Sequence, residues 1–280
     1  MSSTGRAGAH LGTRVLKLAI VLVFLGPMFL AIVSAFRSNG QIFKYSGTLS
    51  IHTFVPFPGT LSNFSAAASE PQFLRQVVNT LVLGLVQSSL TVVLAVLAAF
   101  PLARMKFRGK GVVLYALIAT MFIPFEALAV PLFLIVKNLG QLNSFWGLLL
   151  PWVAGPMATF IMRQAMADIP SSLDEAVMID GGGVVRILRH VIIPNVWPAM
   201  VTVWVITFIY VWDSFLWPLI IMSDPSKQLA QVGIVNLINP NEIDYGTLFA
   251  MSIIAAGPVV VIFLLLQRFY QQGVTASGLK

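Results

Sequence analysis

No cysteine occurs in this chain. That excludes a disulfide framework, a thiolate metal site and cysteine nucleophilic chemistry. Histidine is nearly as scarce. His10, His52 and His190 lie far apart and match no metal-ligand spacing. No G-x-x-x-x-G-K-[ST] phosphate loop is present, so any ATP chemistry belongs to another polypeptide. No nucleophile–base pattern marks an enzyme. Charged residues make up only 10% of the chain, against roughly a quarter in a soluble domain.

What is abundant is apolar side chain, 58% of 280 residues. A water-soluble fold would have too little polar surface to cover it, so the solvent it fits is lipid. A bilayer-spanning helix takes about 20 mostly apolar residues. Runs of that kind lie near residues 18–36, 77–102, 112–136, 145–166, 197–222 and 248–266. The expected fold is therefore an all-α membrane protein of about six spans. Val33-Ser34-Ala35 resembles a signal-peptide cleavage site, but the first apolar run exceeds a signal core of about 7–15 residues. An uncleaved first helix is expected. The expected organisation is an N-terminal segment 1–17, a membrane domain 18–270 and a tail 271–280.

Two connections are longer than a turn. Residues 37–76 carry Pro56, Pro58, Gly59 and Pro71, and read as irregular structure with one surface helix. Residues 223–247 carry Pro225, Pro240 and Asp244. Neither is long enough for an independent domain. There is no tandem repeat, where a secondary transporter would often show two matched halves.

The net charge of +7 would suggest nucleic acid in a soluble protein. Here the basic residues sit between apolar runs, and no nucleic-acid partner is expected. Arg6, Arg14 and Lys17 precede the first span. Arg104, Lys106, Arg108 and Lys110 separate the second from the third. Arg163, Arg186 and Arg189 flank the connection between the fourth and fifth, and Arg268 and Lys280 follow the last. The opposite side holds Arg37, Lys44, Arg75, Lys137 and Lys227. Most of the 17 basic residues thus fall on one side. The positive-inside rule makes that side, with both termini, cytoplasmic.

Proline interrupts most runs, at Pro27, Pro101, Pro124, Pro131, Pro151, Pro156, Pro218 and Pro258. It removes a backbone donor and kinks a helix, which suits a pathway that opens and closes. It is also common in membrane helices generally. Glu126 is the one carboxylate deep within a predicted span. Such groups are costly in lipid and usually functional. Two readings stand for it: a group facing a water-filled pathway, or a structural partner for a freed backbone donor or another subunit. Asn79, Tyr210, Trp212 and Asp213 are the further candidate pathway residues, although interfacial anchoring explains Trp and Tyr more often.

The most informative stretch is residues 171–200, SSLDEAVMIDGGGVVRILRHVIIPNVWPAM. Ser172 and Glu175 fit a capping box that starts a short helix. Gly181, Gly182 and Gly183 break it. Residues 184–193 return to a helical pattern, and Pro194 marks the start of the next span. A helix, a glycine turn and a second helix make an element able to lie in a partner's groove.

The same stretch resembles the signature loop of bacterial ABC-importer permeases, written EAA, three residues, G, nine residues, I-x-L-P. Glu175-Ala176-Val177, Gly181 and Val191-Ile192-Ile193-Pro194 keep its spacing throughout. The departures are valine for the second alanine, and valine and isoleucine for isoleucine and leucine. Nearly the whole chain is similar to the smaller permease subunit of maltose-type carbohydrate importers. Asn79-Thr80, Pro101-Leu102-Ala103-Arg104 with Phe107 and Gly109, Ile123-Pro124-Phe125 and Pro131-Leu132-Phe133 follow its pattern. So do Trp212-Asp213, Pro218-Leu219 and Asp244-Tyr245-Gly246. The tail is also similar, without the usual terminal glycine.

The resemblance implies a type I ABC-importer permease fold in a bacterial inner membrane, with a coupling loop at residues 168–194. It implies a second permease subunit as heterodimer partner, an ATPase dimer carrying ATP and Mg, and an external solute-binding protein. Glu175 would pair with a basic residue of the ATPase, Ala176 and Val177 would pack in its groove, and Asp180, Gly181 and Pro194 would shape the loop. The binding protein would touch residues 223–245. The implied solute is a mono- or oligosaccharide, with glycerol phosphate or a glycerophosphodiester as the alternative. An ATP-independent secondary transporter is the reading from another class.

Overall fold

The computed structural model describes residues 3–47, 50–236, 238 and 243–277. Among the described residues there are helices and turns and no strand. In chain order the helices are α1 (Ser3–Ala35), α2 (Asn39–Ser46), α3 (Ile51–Phe54), α4 (Ser62–Ser69) and α5 (Phe73–Arg104). They continue with α6 (Lys110–Thr120), α7 (Phe125–Asn138), α8 (Phe145–Leu149), α9 (Pro156–Ala167) and α10 (Ser172–Ile179). α11 (Val184–Ile187), α12 (Ile193–Trp212), α13 (Leu216–Ile221), α14 (Ala230–Asn236) and α15 (Tyr245–Ser277) complete the set.

Four helical stretches are long and apolar enough to cross a bilayer: Leu16–Ala35, Phe73–Arg104, Val184–Trp212 and Tyr245–Gln267. α6 and α7 make a fifth crossing if counted as one span, but they meet at a bend of 99°. By length and composition the described residues thus offer four or five spanning helices, beside the count of about six expected from hydropathy. The shortfall lies at residues 145–166, where α8 and α9 are each too short to span. Pro151, Gly155 and Pro156 explain the break. Proline donates no hydrogen bond and pushes the preceding residue out of the α region.

The fifth apolar run is displaced rather than broken. Its helix starts at Val184, well before residue 197, and stops at Trp212. Pro194 has no N–H to offer, yet the helix runs through it. The preceding turn widens to a π-helical one over Leu188–Ile192, where the Ile193 N–H reaches back to the Leu188 carbonyl. A widened turn of this kind is a recognised way to absorb a local fault in a helix. At the N-terminus α1 is one continuous helix from Ser3, and its apolar spanning stretch is Leu16–Ala35.

The chain divides into two compact units, Met1–Phe73 with Ile234–Ala256, and Leu74–Gly233 with Gly257–Lys280. In the first, the expected irregular connection contains three short helices, α2 to α4. Its turns are tied by side chains. Asn63 donates to the carbonyls of Ala35 at 2.8 Å and Arg37 at 2.7 Å. The Arg37 guanidinium donates to the His52 carbonyl. Asn39 donates to the Ile243 carbonyl at 3.1 Å and accepts from the Gly246 N–H at 3.2 Å.

The second unit carries a core of Val92, Ala95, Val96, Ala99 and Phe100 from α5, Met162 and Met166 from α9, and Ile192, Val196 and Val203 beside and within α12. Hydroxyls inside α5 bond to their own helix: Thr80 to the Gln76 carbonyl at 2.8 Å and Ser88 to the Gly84 carbonyl at 2.6 Å. Gly84 marks the closest approach of α5 and α12, because a Cβ there would lie 2.7 Å from the Phe208 ring. Small residues let membrane helices approach in this way. Gly84→Val is expected to overpack the contact by about 1–3 kcal/mol. The apparent melting temperature in detergent should fall by roughly 5 °C, and adding Phe208→Leu should recover most of it. No change in the single variant would mean that the helices are free to part.

Candidate functional site

Two places in the second unit gather the candidate residues. The first is the loop around α10. This helix starts at Ser172 through backbone bonds, with the Asp174 and Glu175 N–H groups donating to the Ser171 carbonyl at 3.0 and 3.1 Å. The expected capping box of Ser172 and Glu175 does not form, since the cap residue is Ser171 and its side chain makes no capping bond. Glu175 is thereby left exposed in the first turn, where the helix dipole favours a carboxylate.

Gly181 ends the helix with φ +75°, the left-handed conformation that glycine adopts without strain. Its N–H donates to the Met178 carbonyl at 3.0 Å, and that of Gly182 to the Val177 carbonyl at 2.8 Å. Gly182 is equally constrained, because a Cβ there would meet Val177 Cγ1 at 2.6 Å. Asp180 is the exposed residue at the helix end, and Pro194 is exposed in the first turn of α12.

The apolar residues divide differently from expectation. Ala176 is exposed, but Val177 packs on the chain's own core. The outward apolar surface is made instead by Leu173, Met178, Ile179 at 86% exposure, Val184, and Val185 at 77%.

Asp174 was not anticipated. It is buried beneath α10, and its Oδ2 lies 3.5 Å from Nε of Arg104 at the end of α5. The pair is close enough for attraction, but Arg104 Nε and Nη2 and Asp174 Oδ1 have no hydrogen-bond partner. The signal in the sequence is the adjacency of two carboxylates. Neighbours on a helix point about 100° apart, so Asp174 and Glu175 present their carboxylates in different directions.

The second place is a cleft of about 570 Å³ where α12 ends, lined by Phe125, Ile206, Ile209, Tyr210, Asp213, Ser214, Phe215, Leu216 and Trp217. Phe125, Tyr210 and Trp217 of its lining form a connected ring set with Trp152. Phe125 lies 5.3 Å from Trp152 and 6.3 Å from Trp217, and Trp152 lies 6.1 Å from Trp217 and 6.3 Å from Tyr210. Sequence reasoning missed Phe125, Trp152 and Trp217. All three sit beside helix breaks, the 99° bend, the Pro151–Gly155 turn and the Asp213–Phe215 turn, and such breaks are where backbone lines cavities in membrane proteins.

Asp213 is exposed at the C-terminal end of α12. The helix dipole disfavours a carboxylate there, and no cation among the described residues pairs with it. Tyr210 and Asp213 line the cleft, but Trp212 does not. It is 2% exposed and stacks on Phe208 at 5.5 Å. Glu126 is exposed in the first turn of α7, directly after the bend. It does not line the cleft, though its neighbour Phe125 does, and no side chain among the described residues pairs with it.

Asn79 has a structural job. It donates to the carbonyls of Ser226 at 3.0 Å and Gln228 at 3.1 Å. Gln76 donates to the Pro225 carbonyl at 3.0 Å, and Thr80 accepts from the Ala230 N–H at 2.9 Å. One turn of α5 thus clamps the loop that follows α13. Within that loop, bonds from the Ser226 hydroxyl and N–H hold the Asp224 carboxyl below its ordinary range.

Residues 91–276 match the family model of the binding-protein-dependent transport system inner membrane component. The chain belongs to this family. It is a permease, and the curated relatives are permeases too. The sn-glycerol-3-phosphate transport system permease protein UgpE of Yersinia pestis bv. Antiqua is 29% identical over 280 residues, covering 97% of this chain and 98% of that one. The arabinooligosaccharides transport system permease protein AraQ of Bacillus subtilis is 26% identical over 260 residues, covering 92% of each. Among solved structures, a chain of a bacterial ABC transporter involved in the import of the acidic polysaccharide alginate superposes with a TM-score of 0.82 at 21% identity. It covers 96% of this chain and 99% of that one. That likeness extends to the ABC-importer permease fold.

Proposed function

We propose that this permease forms one half of the translocation pathway of an ATP-driven importer for an uncharged sugar, paired with a second permease subunit. α10 and the glycine turn would seat in a cleft of a separate ATPase, which binds ATP and Mg. The observation that carries this reading is the exposed surface of Glu175, Leu173, Ile179 and Val185, held on a short helix whose inner side is anchored by Asp174 and Val177. Arg6, Arg14 and Lys17 at the start of α1 and the basic residues in the turn after α5 support a cytoplasmic position for that surface and for both termini. An external binding protein would deliver the solute to the side where α5 clamps residues 225–230.

The aromatic cleft supports a sugar. Ring faces pack on the apolar faces of sugars, and a carboxylate such as Asp213 accepts their hydroxyls. The sn-glycerol-3-phosphate relative favours an organic phosphate as the alternative. Against it, Asp213 is the one charged residue among the described residues lining the cleft, and a buried anion needs a cation.

The test begins with mild-detergent purification of this chain from its own membranes, identification of what accompanies it, and reconstitution into liposomes. The expected companions are an ATPase, a second permease and a binding protein. Uptake should require ATP and favour arabinotriose over sn-glycerol 3-phosphate. Recovery of the chain alone, moving solute without ATP, would instead make it a secondary transporter.

A further inference from the structure

A second cavity, of about 260 Å³, opens beside the middle of α5. Gln87 stands in its wall at 3% exposure. A carboxamide offers two N–H donors and two acceptor lone pairs. Inside a membrane protein these groups are costly to leave unpaired and are normally bonded to neighbours. The hydroxyl residues of α5 follow that rule: Thr80, Ser88 and Ser89 bond to carbonyls of their own helix. Thr91 donates to the Val153 carbonyl at 2.9 Å. Among the described residues the Gln87 carboxamide has no hydrogen-bond partner. The Thr207 hydroxyl, in the same wall, has none among them either. Both therefore keep their capacity for something that enters the cavity.

The cavity is continuous in its lining with the aromatic cleft. Tyr210 and Ile206 line both, and Trp152, which lines the cavity, belongs to the ring set around the cleft. Among the described residues no charged one lines the cavity. An ion would find no counter-charge there, and a fully apolar molecule would leave the amide unpaired. The occupant that satisfies the wall is neutral, hydroxyl-bearing and of about the size of one sugar ring.

We infer that Gln87 and Thr207 form a ligand-contacting station deeper in the pathway than Asp213, hydrogen-bonding the hydroxyls of a single sugar ring flanked by Tyr210 and Trp152. This rests on the sugar-import reading and adds residues that set specificity within it. Rejection of solutes lacking hydroxyls follows, because they would leave the carboxamide unpaired.

The test uses the whole complex in liposomes, with arabinotriose as the probe at saturating binding protein. Uptake and binding-protein-stimulated ATP hydrolysis are measured on the same vesicles. Gln87→Leu should lower sugar moved per ATP hydrolysed by about tenfold, as expected for one lost hydrogen bond to solute, while hydrolysis stays within about twofold. Thr207→Val should act in the same direction, and Gln87→Asn should recover part of the loss. Unchanged sugar per ATP in Gln87→Leu, or in Thr207→Val if the first variant does not assemble, would overturn the station and leave the importer reading standing. A parallel fall in uptake and hydrolysis would make Gln87 a structural residue and also overturn it. Failure of the unmodified complex to import arabinotriose with ATP would strike the sugar-import reading itself.

Discussion

Glu175→Lys should abolish ATP-driven import, by at least a hundredfold, while the chain still inserts and assembles with its partner permease. Glu175 is exposed, and among the described residues its carboxylate forms no ion pair or hydrogen bond. Its replacement therefore costs the folded subunit little, about half a kcal/mol for an ordinary surface site and a similar amount from the reversed interaction with the α10 dipole. The large effect arises at the ATPase. Placing a lysine against the basic residue expected there brings like charges together in a buried interface, which costs several kcal/mol. At about 1.4 kcal/mol per tenfold, that exceeds two orders of magnitude. Glu175→Gln removes the attraction without adding repulsion and should fall between, near tenfold. The measurement is uptake by reconstituted vesicles beside the amount of ATPase retained on purification. Import equal to the unmodified protein would rule out the coupling role. Loss of insertion would show that Glu175 serves the chain's own fold.

Much of the loop around Glu175 was readable because glycine leaves few options. A left-handed residue must end α10, and Gly181 supplies it. The helical return after Gly183 follows from the pattern of residues 184–193. The helix start was misread by one residue, since Ser171 and Ser172 are chemically interchangeable as caps and backbone geometry chose between them. Val177 was assigned to the partner's groove because it follows Ala176 in the motif. Its inward position depends on where α10 lies against α9 and α11, which no local pattern encodes.

The membrane spans show a similar division. Hydropathy finds apolar length but is blind to direction. It could not show that residues 112–136 turn by 99°, or that residues 145–166 break at Pro151–Gly155. Those same prolines were visible, and reading them as breaks would have pointed to Phe125 and Trp152 beside the cleft. Trp212 and Asp213 illustrate the limit for adjacent residues. At the end of a helix one faces the core and the next faces the cleft, and their order in the sequence does not say which. Gln87 was overlooked for a different reason. A lone glutamine in a span becomes informative only once the structure shows that its amide has nothing to bond.

The largest effect on stability is expected at Arg104 and Asp174, which motif matching treated as a basic turn and an unremarked neighbour of Glu175. Their side chains are 10% and 13% exposed and 3.5 Å apart. Removing one partner leaves the other charge buried and uncompensated, at a cost of about 3–5 kcal/mol. Asp174→Leu or Arg104→Met should therefore lower the apparent melting temperature by roughly 10 °C. The double replacement removes both desolvation costs at once and should recover most of that loss, as apolar substitutes for buried pairs commonly do. Transport need not recover with it. The pair ties α10 to the end of α5, so it holds the surface that presents Glu175 to the ATPase. In the double variant, a stable subunit with poor import would identify the pair as a positioning element. Recovery of both would reduce it to a packing contact, and a single variant as stable as the unmodified protein would mean that water already reaches these charges.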